Sequence, residues 1–81
     1  MKKFEVEYKG HHICVENRVT GERLIVDDEL QDEQIGFSSR SRLYGRIKGG
    51  KGEGETIKVS LGGWITIGCR IFVDDKLIFP A

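Results

Sequence analysis

Two histidines and two cysteines are the residues of this chain best suited to holding a metal. His11 and His12 adjoin, Cys14 follows one residue later, and Cys69 lies far downstream. Imidazole and thiolate are the ligands of tetrahedral zinc, which in structural sites takes four of them, commonly in pairs of short spacing. On a strand, His12 and Cys14 share a face and His11 points to the other. The candidate ligands are therefore His12, Cys14 and Cys69, a set that matches zinc-site spacing poorly. The competing expectation is a thiol in a half-buried sheet with histidines near the start of a strand. No cofactor is expected.

Charge carries more information. The segment from Ser38 to Gly52 holds five basic residues and no acid: Arg40, Arg42, Arg46, Lys48 and Lys51, with Tyr44 among them. Basic side chains that track a phosphate backbone, plus an aromatic on which a base can stack, are the parts of a single-stranded nucleic-acid site. Small β-barrels present such parts on an open sheet face. From Glu22 to Glu33 there are six acids against Arg23 alone. The two stretches can equally pair with one another across a sheet, or solvate one face.

Other motifs carry less. Gly45 to Lys51 has most of a phosphate-loop spacing, but Gly52 stands where Ser or Thr must hold magnesium, and a strand pattern follows instead of a helix. Ser38, Ser39, Ser41 and Ser60 lack the strand–elbow–helix context of a nucleophile. Cys14 lies between Ile13 and Val15, where a thiol behaves as a small hydrophobe. Paired carboxylates occur only as Asp27-Asp28 and Asp74-Asp75, which turn chemistry alone explains. No enzymatic activity is expected. Trp64, after Gly62-Gly63, is either an exposed anchor for a partner or an aromatic covering one end of the core.

These residues must be positioned by strands, because period-two alternation runs through the chain and helical period is nearly absent. Phe4, Val6 and Tyr8 alternate with Glu5, Glu7 and Lys9. Strands follow at His12–Glu16 and Arg23–Asp27, separated by turn residues Asn17 to Glu22. Gln31 to Ser41 reads as a polar loop with at most a short irregular strand. Strand character returns at Arg42–Lys48, then a glycine-rich flexible connector at 49–54. Ile57–Leu61, a hairpin-type turn at Gly62-Gly63, Trp64–Ile67, Cys69–Asp74 and Leu77–Phe79 complete the series. Seven or eight short strands at this spacing predict an all-β fold, a small antiparallel β-sandwich or partly open barrel, as one domain over residues 1–81. The expected core is Val6, Ile13, Val15, Leu24, Val26, Leu43, Ile57, Val59, Ile65, Ile67, Ile71, Val73 and Leu77.

The segment Arg23-Leu-Ile-Val-Asp-Asp-Glu-Leu30 recurs as Arg70-Ile-Phe-Val-Asp-Asp-Lys-Leu77. An apolar alternating strand precedes each copy, Ile13–Val15 in one and Ile65–Ile67 in the other. The reading is one hairpin used twice, with an Asp-Asp turn in each. The run His12-Ile13, Glu16, Thr20-Gly21-x-Arg23-x-x-Val26-Asp27 resembles the opening hairpin of the Fas apoptotic inhibitory molecule family. Arg70 to Leu77 is similar to a later valine–aspartate hairpin of that fold. Together these cover about half of the chain. The resemblance implies a compact antiparallel β-sandwich acting through protein contacts, and brings no catalytic residue, cofactor or metal.

Thirteen basic and thirteen acidic residues cancel over 81 residues, so no net field draws the whole molecule to nucleic acid or membrane. Acidic residues interrupt any apolar export signal after Met1-Lys2-Lys3, and two cysteines make no disulfide framework. A cytoplasmic protein with reduced thiols is expected. The functional expectation is a non-enzymatic interaction module binding a protein partner or itself. The alternative is a single-stranded nucleic-acid binder using Arg40, Arg42, Tyr44, Arg46, Lys48 and Lys51, and the second alternative is the metal site at His12, Cys14 and Cys69.

Overall fold

A chain this rich in alternating strands must bury one face of each strand and leave the other to water. The computed structural model, which describes residues 1–36, 40–63 and 67–80, does this with eight strands. These are β1 (Lys2–Tyr8), β2 (His11–Arg18), β3 (Gly21–Val26), β4 (Glu29–Ile35), β5 (Arg40–Arg46), β6 (Thr56–Gly62), β7 (Gly68–Val73) and β8 (Lys76–Phe79). They form two four-stranded antiparallel meanders, β1-β2-β3-β4 and β5-β6-β7-β8. The inner faces meet in one core that joins Ile13, Val15, Leu24 and Val26 of the first sheet to Leu43, Ile57, Val59, Leu61, Ile71 and Val73 of the second. The fold is a small β-sandwich, not a closed barrel. Among the described residues, no helix is long and apolar enough to cross a membrane.

Turn chemistry sets the registers. Asp27-Asp28 and Asp74-Asp75 each join strands through a two-residue loop, with φ of 50° and 67° in the first and 46° and 65° in the second. Positive φ at both central positions is the condition for a turn whose twist matches its strands, and Asp tolerates it better than most residues. Each first aspartate also binds the strand on its far side. Asp27 Oδ1 accepts the His12 N–H at 2.9 Å, and Asp74 Oδ1 accepts the Thr56 N–H at 2.8 Å. A register shift follows at the same place in both hairpins, between Leu24 and Ile25 and between Ile71 and Phe72.

Several expectations are corrected. The polar segment read as a loop from Gln31 is strand β4 as far as Ile35, paired along β3. The turn expected over 17–22 shrinks to Val19-Thr20, because β2 runs to Arg18 and β3 starts at Gly21. The carboxylates at its two ends, Glu16 and Glu22, are buried rather than turned out. Glu16 binds Arg18 at 2.8 Å, and buried Glu22 accepts the Ser41 hydroxyl. The connector at 49–54 is wound into turns, with Gly54 N–H donating to Ile47 O at 2.8 Å and Ile47 N–H to Glu55 O at 3.0 Å.

Gly62-Gly63 is not a tight hairpin, since Gly62 pairs with Gly68 across the 63–67 connection. The strand paired ahead of the second Asp-Asp hairpin is β6, and all but Ile67 of the strand expected at Trp64–Ile67 lies outside the described residues. Of that segment only Ile67 is described, outside any strand and partly buried against the core. Ile65 lies outside the described residues. Leu77 leaves the core list: beyond the register shift it sits opposite Phe72, 47% exposed. Ile47, Leu61 and Cys69 belong to the core and were absent from the expected core, although Leu61 and Cys69 continue the alternation of Ile57–Val59 and Ile71–Val73.

Candidate binding face

The outward side of the second sheet is built by alternation. Along β5, Ser41 and Leu43 turn inward and are buried, while Arg40, Arg42, Tyr44 and Arg46 are exposed. Register carries the pattern across the sheet in rows, with adjacent strands about 4.8 Å apart. Arg40 lies beside Gly62 and Gly68, and Arg42 beside Ser60 and Arg70. Tyr44 lies beside Lys58 and Phe72, and Arg46 beside Thr56. No acid occurs in any of the four strands.

Two glycines and a serine keep the first rows low. Gly62, Gly68 and Ser60 line a trough that Arg40, Arg42 and Arg70 border and that continues to Phe4, Phe79 and Pro80. In the next row the Lys58 ammonium stands 5.3 Å from the centre of the Phe72 ring and 3.8 Å from Asp75. Among the described residues, Arg42, Arg46 and Arg70 have no carboxylate within ion-pairing distance. Tyr44 is 55% exposed. A flat surface with guanidinium groups, an open phenol ring and no competing carboxylate on its strands can hold an anionic chain by charge and stack planar groups on Tyr44.

The basic stretch seen in the sequence divides here. Arg40, Arg42, Tyr44 and Arg46 come together on β5. Lys48 leaves the face to pair with Glu29 of β4 at 3.2 Å. Lys51 sits in the wound loop, where its carbonyl lies 2.8 Å from His11 Nε2. In exchange the fold adds Lys58, Arg70 and Phe72 from β6 and β7. Their signal was present as the polar positions between Ile57, Val59 and Leu61, and between Cys69, Ile71 and Val73.

Charge also separates by sheet. Residues 1–36 hold five basic and nine acidic side chains, and the remainder holds eight and four. The acidic stretch does not cover the basic face. It meets β5 at its edge instead, where Asp32 Oδ2 accepts the Tyr44 N–H at 2.8 Å and Gln31 bonds the main chain of Arg46.

The metal ligands suggested by the sequence are not brought together. Cys14 shares the outer side of the first sheet with His12, whereas Cys69 is in the core between the sheets. His11 turns to the other side of β2, 2.5 Å from Asp27 Oδ2 through Nδ1. Both of its ring nitrogens therefore face acceptors, so the ring works as a charged clamp between the first Asp-Asp turn and the 49–54 loop. Asp27 and then the Lys51 carbonyl hold its pKa above the ordinary value. A second clamp stands beside it: Tyr8 Oη donates to Glu55 at 2.8 Å and Lys9 Nζ pairs with Glu55 at 3.0 Å. Burial raises the Cys14 thiol and pushes the Cys69 thiol up to about 12. Among the described residues no group of three or more His, Cys, Asp or Glu could hold a metal ion. Trp64 lies outside the described residues.

No protein-family model matches the chain, and neither the curated proteins nor the solved structures contain a match to it.

Proposed function

We propose that this domain is a non-enzymatic binding module whose second sheet takes single-stranded nucleic acid on its outer face. The observation that carries this reading is the set of aligned rows, in which Arg42 and Arg46 flank Tyr44 along β5 and Arg70 and Arg40 lie in the rows beyond, on strands that bear no acid. Arginine supplies sequence-independent attraction to phosphate, and the tyrosine ring supplies a platform that any base can use. The trough bordered by Arg40, Arg42 and Arg70 leaves room for a backbone phosphate beside their guanidinium groups. A cytosolic setting suits this reading, and the two free, buried thiols support it.

The test is binding of a labelled mixed-sequence oligonucleotide, followed by fluorescence anisotropy across a salt series. Affinity is expected to fall steeply with salt. Tyr44→Ala should weaken binding about tenfold, the loss of roughly one stacked base. Arg42→Gln and Arg70→Gln should each lower the salt slope by about 0.7. Lys48→Gln and Lys51→Gln should change little, which separates a sheet face from a basic segment of chain. Absence of salt-dependent binding overturns the reading. So does equal competition by an acidic peptide of matched charge, because that leaves no part for base stacking.

A further inference from the structure

An antiparallel strand points the main-chain groups of alternate residues to opposite sides, so one observed bond fixes them all. Asp74 N–H donates to Thr56 O at 2.9 Å, which turns Thr56 toward β7 and Ile57 toward β5. Ile57 is paired with Gly45, so Gly45 faces β6, and Arg42, Tyr44 and Arg46 face the free edge of β5. That edge is stoppered by side chains of β4. Asp32 takes the Tyr44 N–H, while Gln31 accepts the Arg46 N–H at 2.6 Å and donates to Arg46 O at 2.8 Å.

The other half of the molecule gives the same geometry with a different outcome. Asp27 N–H donates to His12 O at 2.9 Å, so His12 faces β3 and Ile13 faces β1. Ile13 is paired with Val6. Val6, Phe4 and Tyr8 therefore face β2, and Lys3, Glu5 and Glu7 point their N–H and C=O groups away from the sheet. Among the described residues no main-chain or side-chain group bonds to them. β1 is seven residues long and carries no proline or bulge, two of the devices that blunt an edge, and the charges it does carry are of both signs.

We infer that β1 is a dimerisation edge, pairing antiparallel with β1 of a second copy about a two-fold axis at Glu5. This register uses all three outward residues of each copy. It sets Lys3 of one copy opposite Glu7 of the other at both ends, and Phe4 opposite Val6 between them. The central pair is Glu5 with Glu5, and each is already 3.0 Å from the His12 Nε2 of its own chain. The alternative centred on Phe4 pairs only Lys3 with Glu5 among the outward residues. Two-fold pairing is closed, so it ends at a dimer with one continuous eight-stranded sheet. The basic face of the second sheet remains free, and the inference does not depend on what that face binds.

The experiment is sedimentation equilibrium of the full chain without nucleic acid, over a wide concentration range. The wild type is expected to be a concentration-dependent dimer. Glu5→Pro removes an outward N–H, no main-chain bond within the sheet and only the exposed ion pair to His12, so it should give a folded monomer at the same concentrations. Lys3→Glu sets like charges opposite at both ends and should weaken the dimer about tenfold. Adding Glu7→Lys to Lys3→Glu should restore it, and this pair tests the register even if the proline variant fails to fold. A wild type that stays monomeric at the highest concentration overturns the inference. A folded Glu5→Pro variant that dimerises as well as wild type does the same, as does failure of the double charge swap to restore association.

Discussion

Gln31 treats Arg46 as a neighbouring strand would: its side-chain oxygen accepts the Arg46 N–H at 2.6 Å and its side-chain nitrogen donates to the Arg46 carbonyl at 2.8 Å. One amide side chain thus replaces one residue of a missing ladder. The space it needs comes from Gly45, since a Cβ there would lie 2.6 Å from Gln31 Oε1 and 2.9 Å from Leu24 Cδ2.

Loss of this arrangement should be measurable as stability. Gln31→Ala is expected to lower the free energy of unfolding by about 1 kcal/mol. Gly45→Ala should cost about 1–3 kcal/mol through overpacking against Gln31 and Leu24. In the Gln31→Ala background the same glycine substitution should cost less, because one of its two obstacles is gone. Urea unfolding of the four proteins gives the cycle, and simple additivity would show that the two residues do not compete for space.

The His11 clamp predicts a pH profile. Asp27 and the Lys51 carbonyl raise the ring above its ordinary 6.5, the value it regains on unfolding. Its contribution is therefore complete below pH 6.5 and lost as pH rises through the elevated folded value. At the acid end the order reverses. Hydrogen bonds from His11 and then from the His12 N–H hold Asp27 below its ordinary 3.8. Its contribution is present above 3.8 and lost as pH falls through the depressed value. Urea midpoints against pH should decline on both sides for the wild type, and His11→Asn should flatten the alkaline decline. Identical alkaline declines in both proteins would show that the clamp does not titrate.

The second aspartate of each turn should be improvable. Asp28 and Asp75 hold φ of 67° and 65° and are exposed. Glycine enters that region without the side-chain penalty. Asp28→Gly and Asp75→Gly should each stabilise by up to about 1 kcal/mol. Asp27→Ala and Asp74→Ala should each destabilise by roughly 1–2 kcal/mol, because they also remove the bond to His12 or Thr56. Thermal melts of the four variants separate the roles within each pair.

Both thiols should resist modification in the folded protein. Cys69 is 7% exposed with its pKa near 12, and Cys14 is 6% exposed with its pKa raised by burial. An aromatic disulfide reagent at neutral pH should label neither until the chain is unfolded in urea. Rapid labelling of native protein would show that one of the two sheets opens readily.

Much of this fold was legible because alternation and turn chemistry agree. Val6, Ile13, Val15 and Leu24 lie inside or against the core, and both Asp-Asp doublets are turns. Strand β4 was legible only at its start, where the Asp27-Asp28 hairpin calls for a return strand at Leu30. From Gln31 to Gln34 its residues are polar on both sides, and it is a strand there because β3 pairs with it and because Gln31 and Asp32 reach across to β5. Tertiary partners of that kind leave no periodic trace. The binding face was half legible for a related reason. Arg40, Arg42, Tyr44 and Arg46 are neighbours in sequence, but Lys58 and Arg70 join them only through register. Lys48 and Lys51 carry the same charge and are drawn off by Glu29 and by the folding of their loop.

The unequal charge of the two sheets gives this neutral molecule an electric dipole. Nine acids against five bases on one side, and four against eight on the other, leave no long-range pull but a strong preferred orientation. Within a Debye length of about 10 Å, a polyanion meets a torque before it meets a contact, and the sheet turned toward it is β5 to β8. Salt should therefore slow productive encounter even where it leaves the bound pose unchanged.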